Sequence, residues 1–132
     1  ITETECLVAI DFPIWSGAGI GTAFTEVSIR SGDFAIASAA CQMQVDTQNV
    51  IKKITFGVGG VNGTPVVFTK LVEQITGKVL TPQLAQEVAN DAIKDCDPGG
   101  DTHNTALYRK NLALTLLSQV LIEANENAIG NK

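Results

Sequence analysis

A chain of 132 residues with 45% apolar residues and a net charge of −5 is sized for one domain with a core of its own. Nine Lys and Arg stand against fourteen Asp and Glu, which leaves no basic footprint for nucleic acid and no polybasic patch for a membrane surface. No apolar run approaches the roughly 20 residues of a membrane span.

Three cysteines, Cys6, Cys41 and Cys96, lie far apart with no CxxC between them. An odd count argues against a disulfide framework, and the Cys/His clusters that zinc and iron–sulfur sites need are missing. The expectation is three free thiols packed as small hydrophobes in a reducing cytoplasm. The acidic stretch Ile1–Glu5 gives no basic n-region for a signal peptide. Ile in place of Met at position 1 suggests a fragment, a processed chain or a trimmed one.

In chain order the first half reads as strands. Cys6–Phe12 is a short apolar run ended by Pro13, followed by the flexible Ser16–Gly21. Thr22–Arg30 alternates, placing Ala23, Thr25, Val27 and Ile29 inward and Phe24, Glu26, Ser28 and Arg30 outward. Ser31-Gly32 suits a tight hairpin turn, because Gly tolerates positive φ. Phe34–Val45 is a further strand, Asp46–Asn49 a polar turn, and Val50–Val61 a strand with Ile54, Phe56 and Val58 on one face. Gly57, Gly59 and Gly60 mark its end as a bulge or a close backbone approach.

The second half reads as helices. Phe68, Leu71, Val72 and Ile75 follow helical spacing, with Gly77 as C-cap. Thr81-Pro82 is an N-cap followed by Pro at the first helical position. The helix it opens buries Leu84, Ala85, Val88, Ala89, Ala92, Ile93 and Cys96. Asp97–Asp101 breaks it. A last helix runs from about Asn104 to about Ala128, with Leu114, Leu116, Leu117, Val120, Leu121 and Ala124 as its apolar stripe. Residues from Gly130 on are expected to fray. Strands followed by helices predict an α+β fold: an antiparallel sheet of three to four strands covered by three helices, in a single domain over 1–132.

Catalytic signals are weak. His103, the one histidine, has no neighbouring nucleophile or metal-ligand spacing and reads as a surface or helix-start residue. Gly57–Gly60 is neither a Walker A loop nor a GxGxxG opening a helix. Arg109 is assigned the structural task of anchoring the preceding loop through its acids. No catalytic triad, carboxylate pair or metal set is found. The outward row Phe24, Glu26, Arg30 beside a Gly-rich loop is the one feature beyond a bland core. It suits ordinary surface, a planar ligand or a partner.

Taken in order, several segments carry a resemblance. They are Gly17–Phe24, Arg30-Ser31-Gly32-Asp33-Phe34-Ala35, Gly59-Gly60-Val61 with Thr64-Pro65, and Gly77-Lys78. An Ala-rich helix ending at Asp97-Pro98, then Asp101 and Tyr108-Arg109 before a leucine-rich helix, complete the set. Together they resemble the C-terminal domain of the flavin subunit of molybdenum hydroxylases, the family of carbon monoxide and xanthine dehydrogenases. The resemblance covers about Cys6 to Ala128. It implies one domain of an oxidoreductase, not catalytic alone, that helps to enclose FAD as electrons pass from iron–sulfur clusters to an acceptor.

The implied partners are an N-terminal FAD-binding part, absent from this chain, and the molybdopterin and iron–sulfur subunits. The implied cofactor is FAD in the complete subunit, with weak or no binding by this chain alone. The resemblance places Phe24 beside the flavin ring and Arg30 and Asp33 on the adjoining hairpin, and it implies a cytoplasmic location. The alternative is a stand-alone α+β interaction or regulatory module without flavin.

Overall fold

A computed structural model describes residues 1–131. Four strands, β1 (Ile20–Val27), β2 (Ala37–Val45), β3 (Ile51–Gly59) and β4 (Val66–Val67), form one antiparallel sheet in the order β1-β2-β3-β4. Three helices follow: α1 (Thr69–Ile75), α2 (Pro82–Lys94) and α3 (Ala106–Gly130). The expected α+β arrangement is present.

Alternation decides the faces. Ala23, Cys41, Met43, Ile54, Phe56 and Val58 are buried on one side of the sheet. On that side α3 packs against β1 and β2, α2 against α3, and α1 against β3. The register shifts between Gln44 and Val45. This bulge lets Ile51 and Ile54 both point inward while Lys52 and Lys53 both face solvent. The core closes on Met43, Ile51, Ile93, Leu117 and Leu121, all fully buried. Burying a Leu side chain of this kind contributes about 1.5–3 kcal/mol.

The β2–β3 turn forms as its residues dictate. The Asp46 carboxylate accepts from the backbone N–H of Gln48 at 2.9 Å and of Val50 at 3.0 Å, and Asn49 takes the left-handed φ of 63° that Asn tolerates. Thr81 caps α2, its hydroxyl accepting from Leu84 N at 3.1 Å. Thr105 caps α3 in the same way through Tyr108 N at 3.1 Å. Gly77, at φ 85°, follows the end of α1.

Four expectations need correction. Cys6–Phe12 forms no strand and is exposed throughout; the fourth strand is β4. The strand expected over Thr22–Arg30 stops at Val27, and Ile29 is therefore exposed instead of inward. The strand expected from Phe34 begins at Ala37, and Phe34 lies fully in solvent. The Arg30–Asp33 turn exists, with Asp33 N donating to Arg30 O at 3.1 Å, but it sits inside a wider 28–36 connection. Ile36 N closes that connection by donating to Val27 O at 2.7 Å. Lastly, Gly130 and Asn131 are not frayed. Gly130 ends α3, and Asn131 accepts from Gly19 N through its carbonyl and donates from its amide to Ile20 O. Lys132 lies outside the described residues.

Candidate functional site

The sheet face opposite the helices is uncovered, and its relief follows from register. Paired residues in an antiparallel ladder share a face. One row across the open face therefore reads Phe24, Ala40, Gly57, Val67. Large apolar side chains stand on the two edge strands, and the smallest ones lie between them. The neighbouring row carries Glu26, Ser38 and Gly59, again small toward the centre. The result is an apolar trough of about 490 Å³ with Phe24 as one wall and Val66-Val67 as the other. Gly57 is required for the second wall: a Cβ there would lie 2.5 Å from Val66 O, so any side chain would push β4 away.

The far end of the face carries the Gln44–Lys53 pair. The chain before β1 crosses there. Gln44 Nε2 donates to Ala18 O at 3.2 Å, and the Lys53 ammonium sits 4.0 Å from the centre of the Trp15 ring. A cation–π contact of this exposed kind contributes about 0.5–1 kcal/mol.

Phe24 is 63% exposed, as the outward assignment requires. Arg30 and Asp33 lie in the exposed 28–36 connection beyond the end of β1. Only the backbone bond between them ties them together; no ion pair among the described residues joins their side chains. The sequence-predicted trio is thus one wall residue and two loop residues. Sequence reasoning missed Ala40, Gly57 and Val67. The signal was present in part, since Gly57 and Gly59 recur at the strand period.

Arg109 takes the structural task expected of it. Its guanidinium donates to Ile36 O at 2.7 Å and pairs with the Asp101 carboxylate. It thereby ties the loop before α3 to the start of β2. Asp101 also accepts from His103 N at 2.8 Å and Asn104 N at 2.7 Å. These two backbone N–H groups, followed by Arg109, hold its carboxyl down at about 2. His103 is exposed in the loop three residues before α3 begins. No group of His, Cys, Asp and Glu suited to a metal occurs among the described residues. Cys6, Cys41 and Cys96 are all free thiols; Cys41 and Cys96 are packed as expected, whereas Cys6 is exposed, because the segment that carries it packs against nothing in the sheet, and burial pushes Cys41 up to about 12.

An open, apolar, small-floored face with one aromatic wall can hold a flat ring or an apolar protein surface. The CO dehydrogenase flavoprotein C-terminal domain family matches residues 22–124. The chain belongs to this family. It is similar to the glyceraldehyde dehydrogenase medium chain of Sulfolobus acidocaldarius, 26% identical over 119 residues that cover 90% of this chain and 41% of that one. It is 28% identical over 128 residues to subunit alpha of the 6-hydroxypseudooxynicotine dehydrogenase complex of Paenarthrobacter nicotinovorans, covering 97% and 43%. The carbon monoxide dehydrogenase of Hydrogenophaga pseudoflava superposes with a TM-score of 0.78 at 25% identity, over 85% of this chain and 39% of that one.

The chain spans about two-fifths of the length of the relatives it matches. Both relatives are named as a chain or subunit of a larger enzyme. As a flavoprotein C-terminal domain, the chain carries the trough wholly inside the matched span, whereas Cys6–Ile14 lies before it. No helix among the described residues is long and apolar enough to cross a membrane.

Proposed function

We propose that this domain works in the flavin subunit of a molybdenum hydroxylase, closing the isoalloxazine end of an FAD held mainly by a flavin-bearing portion outside residues 1–132. The observation that carries the reading is the apolar trough walled by Phe24 in a chain of this family. In such an enzyme FAD takes electrons from iron–sulfur clusters and hands them to an acceptor. The domain's own part is to bind, to shape access and to exclude water. Phe24 lies beside the ring, and Arg30 and Asp33 shape the approach from the 28–36 connection.

The residues fit the ring and not the whole dinucleotide. A pyrophosphate wants converging backbone N–H groups at a helix N-terminus or a Gly-rich loop. The first turns of α2 and α3 already use N–H groups on Thr81 and Thr105, and the trough floor is apolar. Molybdopterin and iron–sulfur subunits are the expected partners, and the cytoplasm the expected compartment.

Two measurements test this. Titrating FAD against the chain alone and following flavin fluorescence should give no sub-micromolar binding, that is, less than about 8 kcal/mol. In the flavin subunit, Phe24→Ala should alter the flavin spectrum and its reoxidation by acceptor. An unchanged flavin in that variant refutes the placement of Phe24.

A further inference from the structure

The short connection between β3 and β4 holds the one asparagine of this chain that glycine follows, Asn62-Gly63. An Asn side-chain amide can be attacked by the backbone nitrogen of the next residue, which closes a cyclic imide. Glycine makes that attack easiest, because no Cβ crowds the nitrogen or restricts the backbone on either side of it. Helices and strands suppress it, because their hydrogen bonds hold that nitrogen in place.

Nothing of that kind holds this pair. Residues 60–64 belong to no helix or strand, and Asn62 and Gly63 are both exposed. Among the described residues Gly63 N makes no backbone hydrogen bond, and a Cβ on Gly63 would meet nothing within 4 Å. The upstream side, in contrast, is fixed. Val61 is fully buried, and a Cβ on Gly60 would sit 2.4 Å from Ile36 O. The Asn62 side chain is also oriented. Its Oδ1 accepts from Asp97 N at 3.3 Å, and its Nδ2 has no partner among the described residues. The Asp97 N–H stands where negative charge grows on Oδ1 when Cγ is attacked, which is the placement of an oxyanion donor. The nucleophile is thus unhindered, the electrophile polarised and the leaving amide unbound.

We propose that Asn62 is a site of spontaneous deamidation, where Gly63 N displaces the side-chain amide and the isoaspartyl product loosens β4, one wall of the trough. The bond from Gly63 N to Asn62 Cγ forms and the Cγ–Nδ2 bond breaks. The proton of Gly63 N passes to base, and Nδ2 leaves as ammonia. Water then opens the imide at Cγ to give aspartate, or at the main-chain carbonyl carbon of residue 62 to give isoaspartate. No electrons change hands. Aspartate only adds a charge. Isoaspartate adds the same charge and also routes the main chain through Cβ and Cγ, which lengthens it by one atom. The core holds Val61 on one side, so the added length is passed toward Pro65 and β4. That strand is only Val66-Val67, paired with Val58 and Gly57, and both of its residues line the trough. The inference stands apart from the flavin-subunit reading.

Incubating the 132-residue chain at mildly alkaline pH and reading its peptides by mass spectrometry tests the site. Position 62 should convert first among the asparagines, and faster as pH rises, because the attacking nitrogen must lose its proton. Asn127, tied to Thr22 O at 2.9 Å, should stay intact. Gly63→Ala fits the open space around it and should slow conversion by about tenfold or more. A Gly63→Ala chain that converts at the parent rate overturns the site. So does a folded chain that converts about tenfold more slowly than the same chain in urea, since the fold would then protect Asn62. For the wall, the NMR amide shifts of Val66 and Val67 should move in the isoaspartyl fraction and stay in place in Asn62→Asp. Unmoved shifts in the isoaspartyl fraction, or equal shifts in both, reject the loosening of β4.

Discussion

Gly21→Ala probes the close backbone approach of β1 to α3. A Cβ at position 21 would overlap Ala124 O and Ala128 N of α3 and would lie 2.9 Å from Ala128 Cα. Carbon atoms pack at about 3.5–4.0 Å, so strand and helix would have to part by about 1 Å. Every atom met is backbone, and no rotamer change relieves it. Overpacking of this sort costs about 1–3 kcal/mol. The shift would also stretch the two amide caps that Asn127 and Asn131 place on β1, each worth about 1 kcal/mol. The expected loss is therefore about 3–5 kcal/mol.

Gly59→Ala is the control, because its Cβ would meet only Ser38 Oγ at 2.7 Å, a hydroxyl that rotates away. It should stay within about 1 kcal/mol of the parent. Urea melts compared at a common m-value give both numbers. If Gly21→Ala cost no more than Gly59→Ala, the direct seating of α3 on β1 would be wrong, and the capped edge with it.

Leu117, fully buried, should cost about 2–5 kcal/mol when cut to Ala, whereas the exposed Phe24 should cost under about 1 kcal/mol in this chain; equal losses in urea melts would put Phe24 in the core. A disulfide reagent at neutral pH should find one fast thiol, Cys6, because Cys41 is held up at about 12 by burial and Cys96 is raised for the same reason. Three thiols should appear in denaturant without reductant. The Asp101 carboxyl should titrate near 2, well below its ordinary 3.8. Since the folded value is the lower one, its contribution to stability is complete above about pH 4 and is lost as pH falls through about 2. An NMR midpoint at or above 3.8 rejects that geometry, and Arg109→Ala should raise the midpoint only in part, since both backbone N–H donors remain.

What could be read from the sequence was whatever a few neighbouring residues decide. Thr81-Pro82 opens α2 because the hydroxyl that caps it and the proline that starts it are adjacent. Asp46 makes its turn because its acceptor reaches amides two and four residues on. The stripe from Leu116 to Ala124 is buried because a helix puts those positions on one side. Strand ends were less legible. Val27 stops β1 because Ile36 N closes the connection there, a bond that the intervening positions 28–35 leave unspecified. Arg109 was correctly assigned to the acids of the loop before it, but its second acceptor, Ile36 O, lies 73 positions away.

The trough and the unpaired strand show the same limit from opposite sides. The alternation that places Phe24 outward is local, and it held. That Ala40, Gly57 and Val67 share its row depends on three registers, and register is set by turns and bulges between strands. Without those registers, the small residues of β2 and β3 read as weak strand formers, when in fact they are the floor of the open trough. Cys6–Phe12 has the opposite problem. Its period and composition are those of a strand, but a strand exists only where an edge accepts it, and here Asn127 and Asn131 occupy the near edge. Intrinsic preference and observed structure therefore disagree along this whole segment. A run of five apolar residues, Cys6–Ile10, with Phe12 beyond Asp11, kept in solvent carries a standing risk of aggregation.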